Sequence, residues 1–464
     1  MCGVFGIYAP DRDIARLTYF GLYALQHRGQ ESAGIAVTDG RRITAVRELG
    51  LVSQVFDEST LEALQGIAAI GHTRYATTGS SQWQNAQPIL RHRDGRTVAL
   101  GHNGNLTNTT ELREQLSAAG TVFETSSDTE VIATIICEHP GTLLEGVRAA
   151  IDRVTGAYAA IVLDEEQMIG FRDPDGIRPL VLGDLDGHPV LASESCALDI
   201  VGATLVRDVE PGEIVVLSKD GVESFPCAVP QPHPSLCVFE FIYFARPDSR
   251  LDGVALHGMR QRMGERLAEE APVEADIVIP VPDSGTPAAQ GYARRSGIPY
   301  ADGFVKNRYV GRTFIQPDQA LRELGLKLKF NPMPDVLDGR RVVVVDDSIV
   351  RGTTTRKIVK MLRQAGAREV HLRISSPPVI SPCFYGMDMA TKGELIAAQL
   401  SVEEIAIELG ADSLAYLSLD GLEAAMGHAE DRYCRACLTG NYPTTVPIAA
   451  DKARFEASRL PVIQ

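Results

Sequence analysis

The first half of the chain contains short segments in which apolar and polar residues alternate. This alternation, ended by turn residues, predicts strands. The predicted strands are Ile67–Ile70, Thr97–Leu100, Ala157–Leu163, Pro189–Ser193 and Glu213–Ser218. Directly after the last of them, Lys219-Asp220-Gly221 predicts a hairpin turn.

Other segments of the same half place apolar residues three or four positions apart, which predicts helices. The predicted helices are Asp13–His27, Thr109–Ala119, Asp128–Glu138 and Thr142–Val154. Strands and helices in this mixture indicate an α+β sandwich, in which layers of helices pack on sheets.

The second half has a different pattern, in which continuous apolar runs alternate with helical periodicity. The predicted strands are Ile277–Val281, Val342–Val345, Val370–Ile374 and Leu414–Leu417, and the predicted helices are Thr286–Ser296, Thr354–Ala365 and Val402–Leu409. Four consecutive valines at positions 342–345 suit a strand that is buried on both faces, as in a parallel sheet. We therefore predict an α/β domain.

A proline-rich segment separates the two patterns. Residues 225–234 contain Pro226, Pro230, Pro232 and Pro234, and the periodicity is lost there. Segments of this kind are typical of domain boundaries. We expect a first domain over residues 2–230 and a second over residues 231–464.

Composition narrows the class of function. The chain has 464 residues and a formal net charge of −15, so there is no broad excess of Lys and Arg to displace counterions from a nucleic acid. No apolar run reaches the roughly 18 residues of a membrane span. The first residues lack the basic start and apolar core of a signal peptide. The expected location is the cytoplasm, without a nucleic-acid or membrane partner.

The most informative motif follows the four valines. Asp346 and Asp347 end the predicted strand, and a loop of small residues then opens a helix, whose free N–H groups and positive dipole end suit a phosphate. The two carboxylates can bind ribose hydroxyls and offset positive charge at the anomeric carbon. The alternative is a solvated Asp pair that caps the helix. The other expected site residues are Ser348, Arg351, Gly352, Thr353 and Thr354.

A second strand–helix junction has similar chemistry. Asp283, Ser284 and Gly285 follow the strand at Ile277–Val281 and can hold a second phosphate through backbone N–H groups, although an ordinary turn would have the same composition. Basic residues between the two junctions could close over a pyrophosphate, or could be solvated surface charges. These residues are Lys306, Arg308, Lys327 and Lys329.

The block from Asp346 to Thr354 resembles the signature of the type I phosphoribosyltransferases. The resemblance implies that this block binds the ribose 5-phosphate part of phosphoribosyl pyrophosphate. It also implies Mg²⁺ on the pyrophosphate and ribose oxygens, with Ser284, Asp346 and Asp347 as the expected protein ligands.

Cys2 directly follows the initiator methionine. Removal of Met1 would leave a free α-amino group, whose unperturbed pKa of about 7.7–8.0 suits a general base. One residue would then supply both a thiol nucleophile and its base. A cysteine at position 2 could also occur by chance, so its meaning depends on other motifs.

Three other motifs fit the recognition of an amino acid that carries a side-chain amide. Arg74 offers a guanidinium for a substrate carboxylate, and Asp128 offers a carboxylate for a substrate ammonium. Asn103 and Gly104 offer a side-chain amide and a backbone N–H, the two parts of an oxyanion hole. Together with a thiol, these groups suit glutamine.

These motifs resemble the N-terminal-nucleophile glutaminase domain of the class II amidotransferases, an αββα sandwich. By resemblance, Cys2 is the nucleophile, and Asn103 and Gly104 form the oxyanion hole. The residues expected to bind glutamine are Arg28, Arg74, Thr77 and Asp128.

A class II glutaminase joined to a phosphoribosyltransferase resembles the amidophosphoribosyltransferase family, over about Cys2 to Tyr442. The implied reaction converts phosphoribosyl pyrophosphate, glutamine and water to 5-phosphoribosylamine, glutamate and pyrophosphate, the first step of de novo purine biosynthesis. Ammonia would pass internally between the sites, which prevents its loss to solvent. The implied partners are purine nucleotide inhibitors and further copies of the chain, as a homodimer or homotetramer.

Four of the eight cysteines form a candidate metal site. Cys434 and Cys437 make a CxxC motif, and Cys237 and Cys383 lie in segments that resemble the iron–sulfur branch of the family. Four thiolates suit a [4Fe–4S] cluster or, on chemistry alone, tetrahedral Zn²⁺. The resemblance favours the cluster, in a structural role. Packing is the expected role of Cys137, Cys196 and Cys227.

Three other functions compete with this interpretation. A different class II amidotransferase would share Cys2 but would lack the block from Asp346 to Thr354. A non-catalytic regulator that binds phosphoribosyl pyrophosphate could keep that block, but would not need Cys2 or its pocket. A catalytically retired paralogue would keep both sets of motifs.

Overall fold

The computed structural model describes residues 2–76, 81–226, 234–307, 330–389, 391–427 and 432–446. The strands of the first half are β1 (Gly3–Tyr8), β2 (Ser32–Thr38), β3 (Ile43–Leu49), β4 (Ala68–Arg74), β5 (Ile89–Arg93), β6 (Arg96–Leu106), β7 (Gly156–Leu163), β8 (Met168–Arg172), β9 (Val181–Leu185), β10 (His188–Ala192), β11 (Thr204–Asp208), β12 (Ile214–Ser218) and β13 (Gly221–Phe225). Its helices are α1 (Ile14–Ala24), α2 (Val52–Val55), α3 (Glu58–Ala63), α4 (Thr109–Ala118), α5 (Thr129–Glu138), α6 (Leu143–Ile151) and α7 (Ser195–Val201), with a 3₁₀ turn at Trp83–Asn85.

Two antiparallel sheets form the centre of the first half. One contains seven strands in the order β11-β9-β10-β1-β4-β2-β3, and the other contains six in the order β13-β12-β8-β7-β6-β5. Strand β1 lies inside the first sheet, where Phe5 pairs with Gly71 of β4 and with Ala192 of β10. The residue before β1 is Cys2, so the start of the chain is held between two neighbouring strands.

The two sheets and the helices that cover their outer faces form four layers. Phe5 of β1 packs with Leu22 of α1 on the outer face of the seven-stranded sheet. Val4, the neighbour of Phe5, points to the opposite face and packs with Ile161 of the second sheet, as the two-residue period of a strand requires. Helices α5 and α6 cover the outer face of the second sheet. The first half is therefore an αββα sandwich, which confirms the predicted fold class.

The second half contains shorter strands and longer helices. Its strands are β14 (Leu236–Cys237), β15 (Arg250–Leu251), β16 (Val254–Ala255), β17 (Ile277–Pro280), β18 (Phe304–Lys306), β19 (Phe330–Pro332), β20 (Arg341–Asp346), β21 (Glu369–Ile374), β22 (Ser413–Tyr416) and β23 (Tyr433–Cys434). Its helices are α8 (Leu256–Glu270), α9 (Thr286–Ser296), α10 (Pro334–Leu337), α11 (Thr353–Gln364), α12 (Val402–Leu409), α13 (Leu419–Met426) and α14 (Ala436–Thr439). A π-helix spans Glu240–Phe244, and 3₁₀ turns span Lys392–Glu394 and Ile396–Ala398.

A parallel sheet in the order β17-β20-β21-β22 forms the core of the second half. Val343 and Val345 pack with residues of α8 and α9, whereas Val342 and Val344 pack with residues of α11 and α12. The prediction that Val342–Val345 form a strand buried on both faces is therefore confirmed. The carboxyl ends of β17 and β20 lie side by side, which is where ligands bind in open α/β sheets.

The beginning and the end of the second half meet in a small parallel pair of strands. Leu236 of β14 pairs with Tyr433 of β23, and Cys237 pairs with Cys434. The π-helix at Glu240–Phe244 follows β14 directly and is buried at Glu240, Phe241, Ile242 and Phe244. This short segment leads from the first sandwich into the parallel sheet.

The predicted elements are confirmed in type, and the differences lie mostly at their ends. Helix α1 begins one residue after Asp13, because Asp13 Oδ1 accepts a hydrogen bond from Arg16 N at 3.1 Å and caps the helix. Strand β6 continues beyond the predicted Leu100 to Leu106. Strand β1 was not predicted, because all six of its residues are buried and it has no polar alternation. None of the helices in the described ranges is both long and apolar enough to cross a bilayer.

Candidate active sites

Cys2 is buried at the entrance to β1, beside the middle of β6. Its backbone N donates a hydrogen bond to Asn103 Oδ1 at 3.1 Å, and its Sγ lies 3.6 Å from the carbonyl oxygen of Tyr75. The contact brings together residues that are 101 positions apart in the sequence. The structure therefore holds the main-chain nitrogen of Cys2, the atom that would become the α-amine, against a fixed amide.

Asn103 has one amide atom engaged and the other buried without a partner. Because Cys2 N is a donor, the atom that faces it must be Oδ1, so Nδ2 points the other way. Asn103 Nδ2 is fully buried and has no hydrogen-bond partner among the described residues. A buried amide donor without a partner costs on the order of 1–3 kcal/mol, so its presence beside a thiol indicates a ligand-binding role.

Gly104 follows Asn103 in a conformation that other residues adopt poorly. Its φ is +149°, and a Cβ atom at this position would lie 2.0 Å from the carbonyl oxygen of Ala157. A side chain is therefore excluded by backbone of the neighbouring strand β7, rather than by a flexible group. The close approach of β6 and β7 keeps the main chain at Asn103–Gly104 rigid, as a preformed oxyanion hole requires.

The two predicted charged anchors, Arg74 and Asp128, are both buried. Arg74 ends β4 and is 2% exposed, with Nη1 located 3.7 Å from Glu31 Oε2. Asp128 precedes α5, and its Oδ2 accepts a hydrogen bond from Leu106 N at 2.9 Å. Burial lowers the pKa of the neighbouring His102, although Asp128 opposes this shift. Thr77, the fourth predicted glutamine contact, lies outside the described residues.

Arg28 was expected to line the glutamine pocket, but its contacts are with the protein. Its Nε donates to the Cys2 carbonyl oxygen at 2.9 Å, and its two terminal nitrogens contact Glu240 and Glu194. Burial lowers the pKa of Arg28, but the two carboxylates outweigh this effect and the net shift is upward. Its donors are thus directed at the backbone of Cys2 and at two carboxylates, and its contact with glutamine remains a prediction.

The second candidate site lies at the carboxyl end of β20. Asp347 N donates to Asp346 Oδ1 at 2.9 Å, and Ser348 Oγ donates to Asp347 Oδ1 at 2.5 Å. Ser284, in the loop that follows β17, lies near the Asp347 carboxylate. Burial raises the pKa of Asp347, while the hydroxyls of Ser284 and Ser348 act against the shift. The two loops predicted separately therefore meet at one carboxylate.

Glycines allow the two loops to approach each other and the helix to begin. A Cβ on Gly285 would lie 2.4 Å from the carbonyl oxygen of Val345, so this position accepts only glycine without a backbone shift. Gly352 has a φ of +72° and is the N-cap of α11, which begins with Thr353 and Thr354. The N-terminus of α11 lies at the end of the loop that starts at Asp346, as the sequence predicts.

The charged residues around this site are more exposed. Lys306 Nζ forms an ion pair with the exposed Asp283, at the edge of the site. Arg351 Nη2 lies 2.7 Å from Glu394 Oε2, and both side chains are about two-fifths exposed. Three further predicted residues, Arg308, Lys327 and Lys329, lie outside the described ranges.

The four cysteines of the candidate metal site lie near one another. Cys237 and Cys434 are directly paired between β14 and β23, and Tyr385 N donates a hydrogen bond to Cys383 Sγ at 3.4 Å. Burial raises the pKa of Cys437, and the charges of Cys383, Cys237 and Cys434 raise it further. In the described ranges, no group of three or more His, Cys, Asp or Glu side chains has the arrangement of a metal site. The four cysteines are therefore neighbours, but in the described ranges they do not form a set of metal ligands.

Several contacts at the first site were not predicted from the sequence. Tyr75 OH donates to Asp388 Oδ2 at 3.0 Å, and Asn105 Nδ2 donates to the Phe384 carbonyl oxygen at 2.9 Å. Glu240 contacts Arg28 across 212 positions of sequence. These contacts join the two halves of the chain next to Cys2. A single sequence carries no signal for such pairings, apart from the apolar surroundings of a lone Glu at position 240.

Comparison with protein families gives a match in each half of the chain. A glutamine amidotransferase domain model matches residues 72–199. A phosphoribosyl transferase domain model matches residues 258–375. The first match includes Arg74, Asn103, Gly104 and Asp128, and the second includes Ser284 and the block from Asp346 to Thr354.

Similar proteins extend the comparison over nearly the whole chain. The amidophosphoribosyltransferase of Synechococcus elongatus is 54% identical over 456 residues, which cover 96% of this chain and 92% of that protein. The amidophosphoribosyltransferase of Bacillus subtilis is 50% identical over 452 residues, which cover 96% and 94%.

Two solved structures have the same fold. One is glutamine phosphoribosylpyrophosphate amidotransferase from Bacillus subtilis in complex with ADP and GMP, with a TM-score of 0.90, 49% identity, and coverage of 96% of this chain and 98% of that one. The other is described as the allosteric regulatory enzyme of purine biosynthesis, with a TM-score of 0.91, 50% identity, and coverage of 96% and 97%.

Proposed function

Because the chain belongs to the amidophosphoribosyltransferase family, we propose that Cys2 releases ammonia from glutamine and that the loop from Asp346 to Thr354 holds the sugar that receives it. The protein is a glutamine-dependent amidotransferase of the first step of purine biosynthesis. It converts phosphoribosyl pyrophosphate, glutamine and water to 5-phosphoribosylamine, glutamate and pyrophosphate. Its two halves are an N-terminal-nucleophile sandwich and a type I phosphoribosyltransferase fold.

Hydrolysis of glutamine begins at the thiol of Cys2. After removal of Met1, the α-amine takes the thiol proton, and the sulfur attacks the side-chain amide carbon of glutamine. The resulting oxyanion accepts hydrogen bonds from Asn103 Nδ2 and the backbone N–H of Gly104. The tetrahedral intermediate expels ammonia, which leaves with the proton from the α-amine, and water hydrolyses the thioester to glutamate.

One observation supports this mechanism more strongly than the others do. Asn103 Oδ1 accepts from Cys2 N at 3.1 Å, whereas Asn103 Nδ2 is buried without a partner in the described part of the chain. The same side chain can therefore orient the base and stabilise the oxyanion. Arg74 and Asp128 are proposed to bind the carboxylate and ammonium of glutamine, with Thr77 lining the pocket. Arg28 contacts the Cys2 carbonyl oxygen, and its contact with glutamine stays a prediction.

The second half of the reaction takes place at the carboxyl ends of β17 and β20. Asp346 and Asp347 are proposed to bind the ribose hydroxyls and to offset positive charge at the anomeric carbon as pyrophosphate leaves. The backbone amides at the start of α11 would bind the 5-phosphate. Further contacts to the substrate are assigned to Asp283, Ser284, Gly285, Lys306, Arg308, Lys327, Lys329, Ser348, Arg351, Gly352, Thr353 and Thr354.

The reaction of this family uses Mg²⁺ with phosphoribosyl pyrophosphate. The oxygen atoms of Ser284, Asp346 and Asp347 would hold it, and the closeness of the Ser284 and Ser348 hydroxyls to the Asp347 carboxylate supports this assignment. Hard oxygen donors suit Mg²⁺. When bound, the ion neutralises the pyrophosphate charge as the leaving group departs.

We assign a [4Fe–4S] cluster to Cys237, Cys383, Cys434 and Cys437. The pairing of Cys237 with Cys434 and the hydrogen bond from Tyr385 N to Cys383 Sγ support the assignment, since N–H donors to sulfur are common at such clusters. Tetrahedral Zn²⁺ uses the same four ligands. Iron and acid-labile sulfide analysis of protein purified without oxygen distinguishes the two metals.

Several wider properties are proposed from family membership. The first domain is expected to occupy residues 2–230 and the second residues 231–464, since β13 ends at Phe225 and β14 begins at Leu236. The Bacillus subtilis structure is a complex with ADP and GMP, so purine nucleotides are the proposed inhibitors. The proposed location is the cytoplasm, and the proposed assembly is a homodimer or homotetramer.

The reaction is tested by measuring both products in one assay. The purified protein is incubated with glutamine, phosphoribosyl pyrophosphate and Mg²⁺, and glutamate and pyrophosphate are quantified over time. We expect equal amounts of the two products and little glutamate without the sugar substrate. Glutamate release without pyrophosphate would indicate a different amidotransferase, and binding of the sugar substrate without turnover would indicate a regulator or a retired paralogue.

A further inference from the structure

Four charged side chains form a buried ionic cluster that contacts the main chain of Cys2 through Arg28. The cluster consists of Arg28, Arg178, Glu194 and Glu240, and each of these side chains has no exposed surface. Burial of four charges is expensive, because each loses its hydration, and a cluster of this kind contributes little to stability compared with an apolar core. Its position next to the proposed nucleophile indicates that the cluster orients Cys2.

Arg28 connects this buried ionic cluster to the nucleophile. Its Nε donates to the Cys2 carbonyl oxygen at 2.9 Å. Its Nη2 and Nη1 bind Glu240 Oε1 and Oε2 at 2.7 and 3.0 Å, a two-pronged contact that fixes the plane of the guanidinium. The ring of Phe244 lies 4.6 Å from the guanidinium carbon. The direction of the Nε donor, and with it the orientation of the Cys2 main chain, depends on these contacts.

Glu240 does not belong to the sandwich that contains Cys2. It begins the π-helix Glu240–Phe244, which leads into the parallel sheet. The same short segment therefore holds Arg28 from two sides, with the carboxylate of Glu240 and the ring of Phe244. On the sandwich side, Glu194 contacts Arg28 and also accepts a hydrogen bond from His27 Nε2 at 2.7 Å.

The segment that carries Glu240 is itself fixed by the second half of the chain. Arg260 of α8 donates to the carbonyl oxygens of Phe241 and Ala245, each at 2.7 Å, and to that of Glu240 at 3.3 Å. Burial lowers the pKa of Arg260 to about 10, while the charge of Asp347 acts in the opposite direction. The charge of Asp347, a carboxylate of the proposed sugar site, therefore acts on the arginine that holds the Glu240 segment.

We propose that Glu240 is a positioning residue for the nucleophile, which it holds through Arg28 from the phosphoribosyltransferase side of the protein. In the described part of the chain Glu240 is linked to Cys2 through Arg28, so it acts through another residue. The inference rests on the function proposed above for Cys2. It predicts that the alignment of Cys2 depends on a residue of the other half of the chain, while the chemistry at the sugar site does not depend on Glu240.

The test compares Glu240→Gln with the control Glu213→Gln. Gln keeps the volume of Glu240 but replaces a carboxylate oxygen with an amide donor that opposes Arg28. Glu213 is also buried and paired with an arginine, Arg207, at 2.7 Å, but its side chain contacts Arg207 and the backbone of Glu210 rather than Arg28 or Cys2. Both variants therefore lose the charge of a buried glutamate that is paired with an arginine.

Four measurements separate a positioning role from a structural one. In Glu240→Gln we expect kcat for glutamine hydrolysis to fall between roughly 10- and 100-fold, as for a small misplacement of a reacting group, with KM for glutamine changed less than about twofold. Alkylation of Cys2 by iodoacetamide, followed by mass spectrometry of the N-terminal peptide, should slow as well. Ammonia-dependent synthesis should match that of Glu213→Gln, and thermal unfolding should show that both variants are folded at the assay temperature.

Two results would overturn the proposal. One is a Glu240→Gln variant with unchanged kcat and Cys2 alkylation, and the other is an equal loss of ammonia- and glutamine-dependent synthesis in a folded protein. If Glu240→Gln does not fold, Glu240→Asp retains the charge with a shorter side chain and should show the same kcat effect at smaller size. A Glu240→Asp variant that is less stable but catalytically normal also overturns the proposal. Failure of the proposed function is distinct, because the wild-type protein itself would then release no glutamate.

Discussion

The two candidate active sites are built in opposite ways. At the glutaminase site, Cys2, Arg28, Arg74 and Asn103 are buried on or beside strands, and their contacts span up to 212 positions of sequence. At the sugar site, the residues come from two short loops at neighbouring strand ends, and Arg351 and Asp283 are exposed. The first site is preformed around the buried thiol of Cys2. The second lies at the carboxyl end of a parallel sheet and is bordered by exposed charges, which suits a large charged substrate.

This difference has a chemical reason. A thiol nucleophile with a short-lived oxyanion benefits from donors that do not move during the reaction. A substrate with two phosphate-bearing ends must enter and leave, so loops with exposed charges are more suitable. The predictions below test this division of labour.

The largest effect is expected for Cys2→Ala. Loss of the nucleophile should reduce glutamine-dependent synthesis more than roughly 1,000-fold, while synthesis from free ammonia at elevated pH should remain. Both activities are measured in the same preparation, with Cys137→Ser as a control for the loss of a buried thiol. A folded Cys2→Ala protein that lost both activities would contradict the separation of the two sites.

The next effect tests the oxyanion hole. Asn103→Ala removes the buried Nδ2 donor and should lower kcat for glutamine hydrolysis by about 100- to 1,000-fold. Asn103→Asp keeps an oxygen toward Cys2 N but has no donor, so it should be similarly impaired. If Asn103→Asp retained most of its activity, the role of Asn103 would be limited to the contact with Cys2 N.

A replacement at the sugar site should affect both nitrogen sources. Asp347→Asn removes a carboxylate that accepts a hydrogen bond from Ser348 Oγ, and we expect ammonia- and glutamine-dependent synthesis to fall together, by about 100-fold. Asp346→Asn is expected to act in the same direction. Steady-state kinetics with varied phosphoribosyl pyrophosphate measure the change. Unchanged kinetics would favour the alternative that Asp346 and Asp347 only cap the helix.

The smallest direct effect on either activity is expected for Cys437→Ser. The wild-type protein should be brown and contain about four iron and four sulfide per chain, whereas the variant should be colourless and poorly soluble. Thermal unfolding and metal analysis measure the difference. A colourless wild-type protein with one zinc per chain would replace the iron assignment but keep the four ligands.

The sequence predicted the sugar site more completely than the glutaminase site, and the reason is the distance along the chain. The block from Asp346 to Thr354 is contiguous, so strand, loop and helix can be read in order. Cys2 and Asn103 were candidates from their chemistry and from resemblance, but their contact could not be predicted, because the packing of two different sheets brings them together. Arg28 was given a role at the substrate, since nothing near it in sequence indicates Glu194 or Glu240.

The fold was predictable where the pattern of burial is simple. Val342–Val345 lie on both faces of one sheet, so a continuous apolar run was sufficient. Strand β1 is equally buried, but its sequence, with two glycines, gives no clear period. The polar residues His102 and Asn103 concealed the continuation of β6, because their burial depends on partners in distant segments rather than on local hydrophobicity.

The pairing of β14 with β23 also has a consequence for synthesis on the ribosome. The sandwich, with Cys2 in place, can assemble as soon as the first 225 residues have emerged, since domains generally fold as units during synthesis. Arg28 gains its second carboxylate only when Glu240 has been made, and Leu236 and Cys237 gain their pairing strand only with Tyr433 and Cys434. In a nascent chain the surroundings of Cys2 are therefore completed in stages. The last stage is the pairing of β14, which lies just before Glu240, with β23.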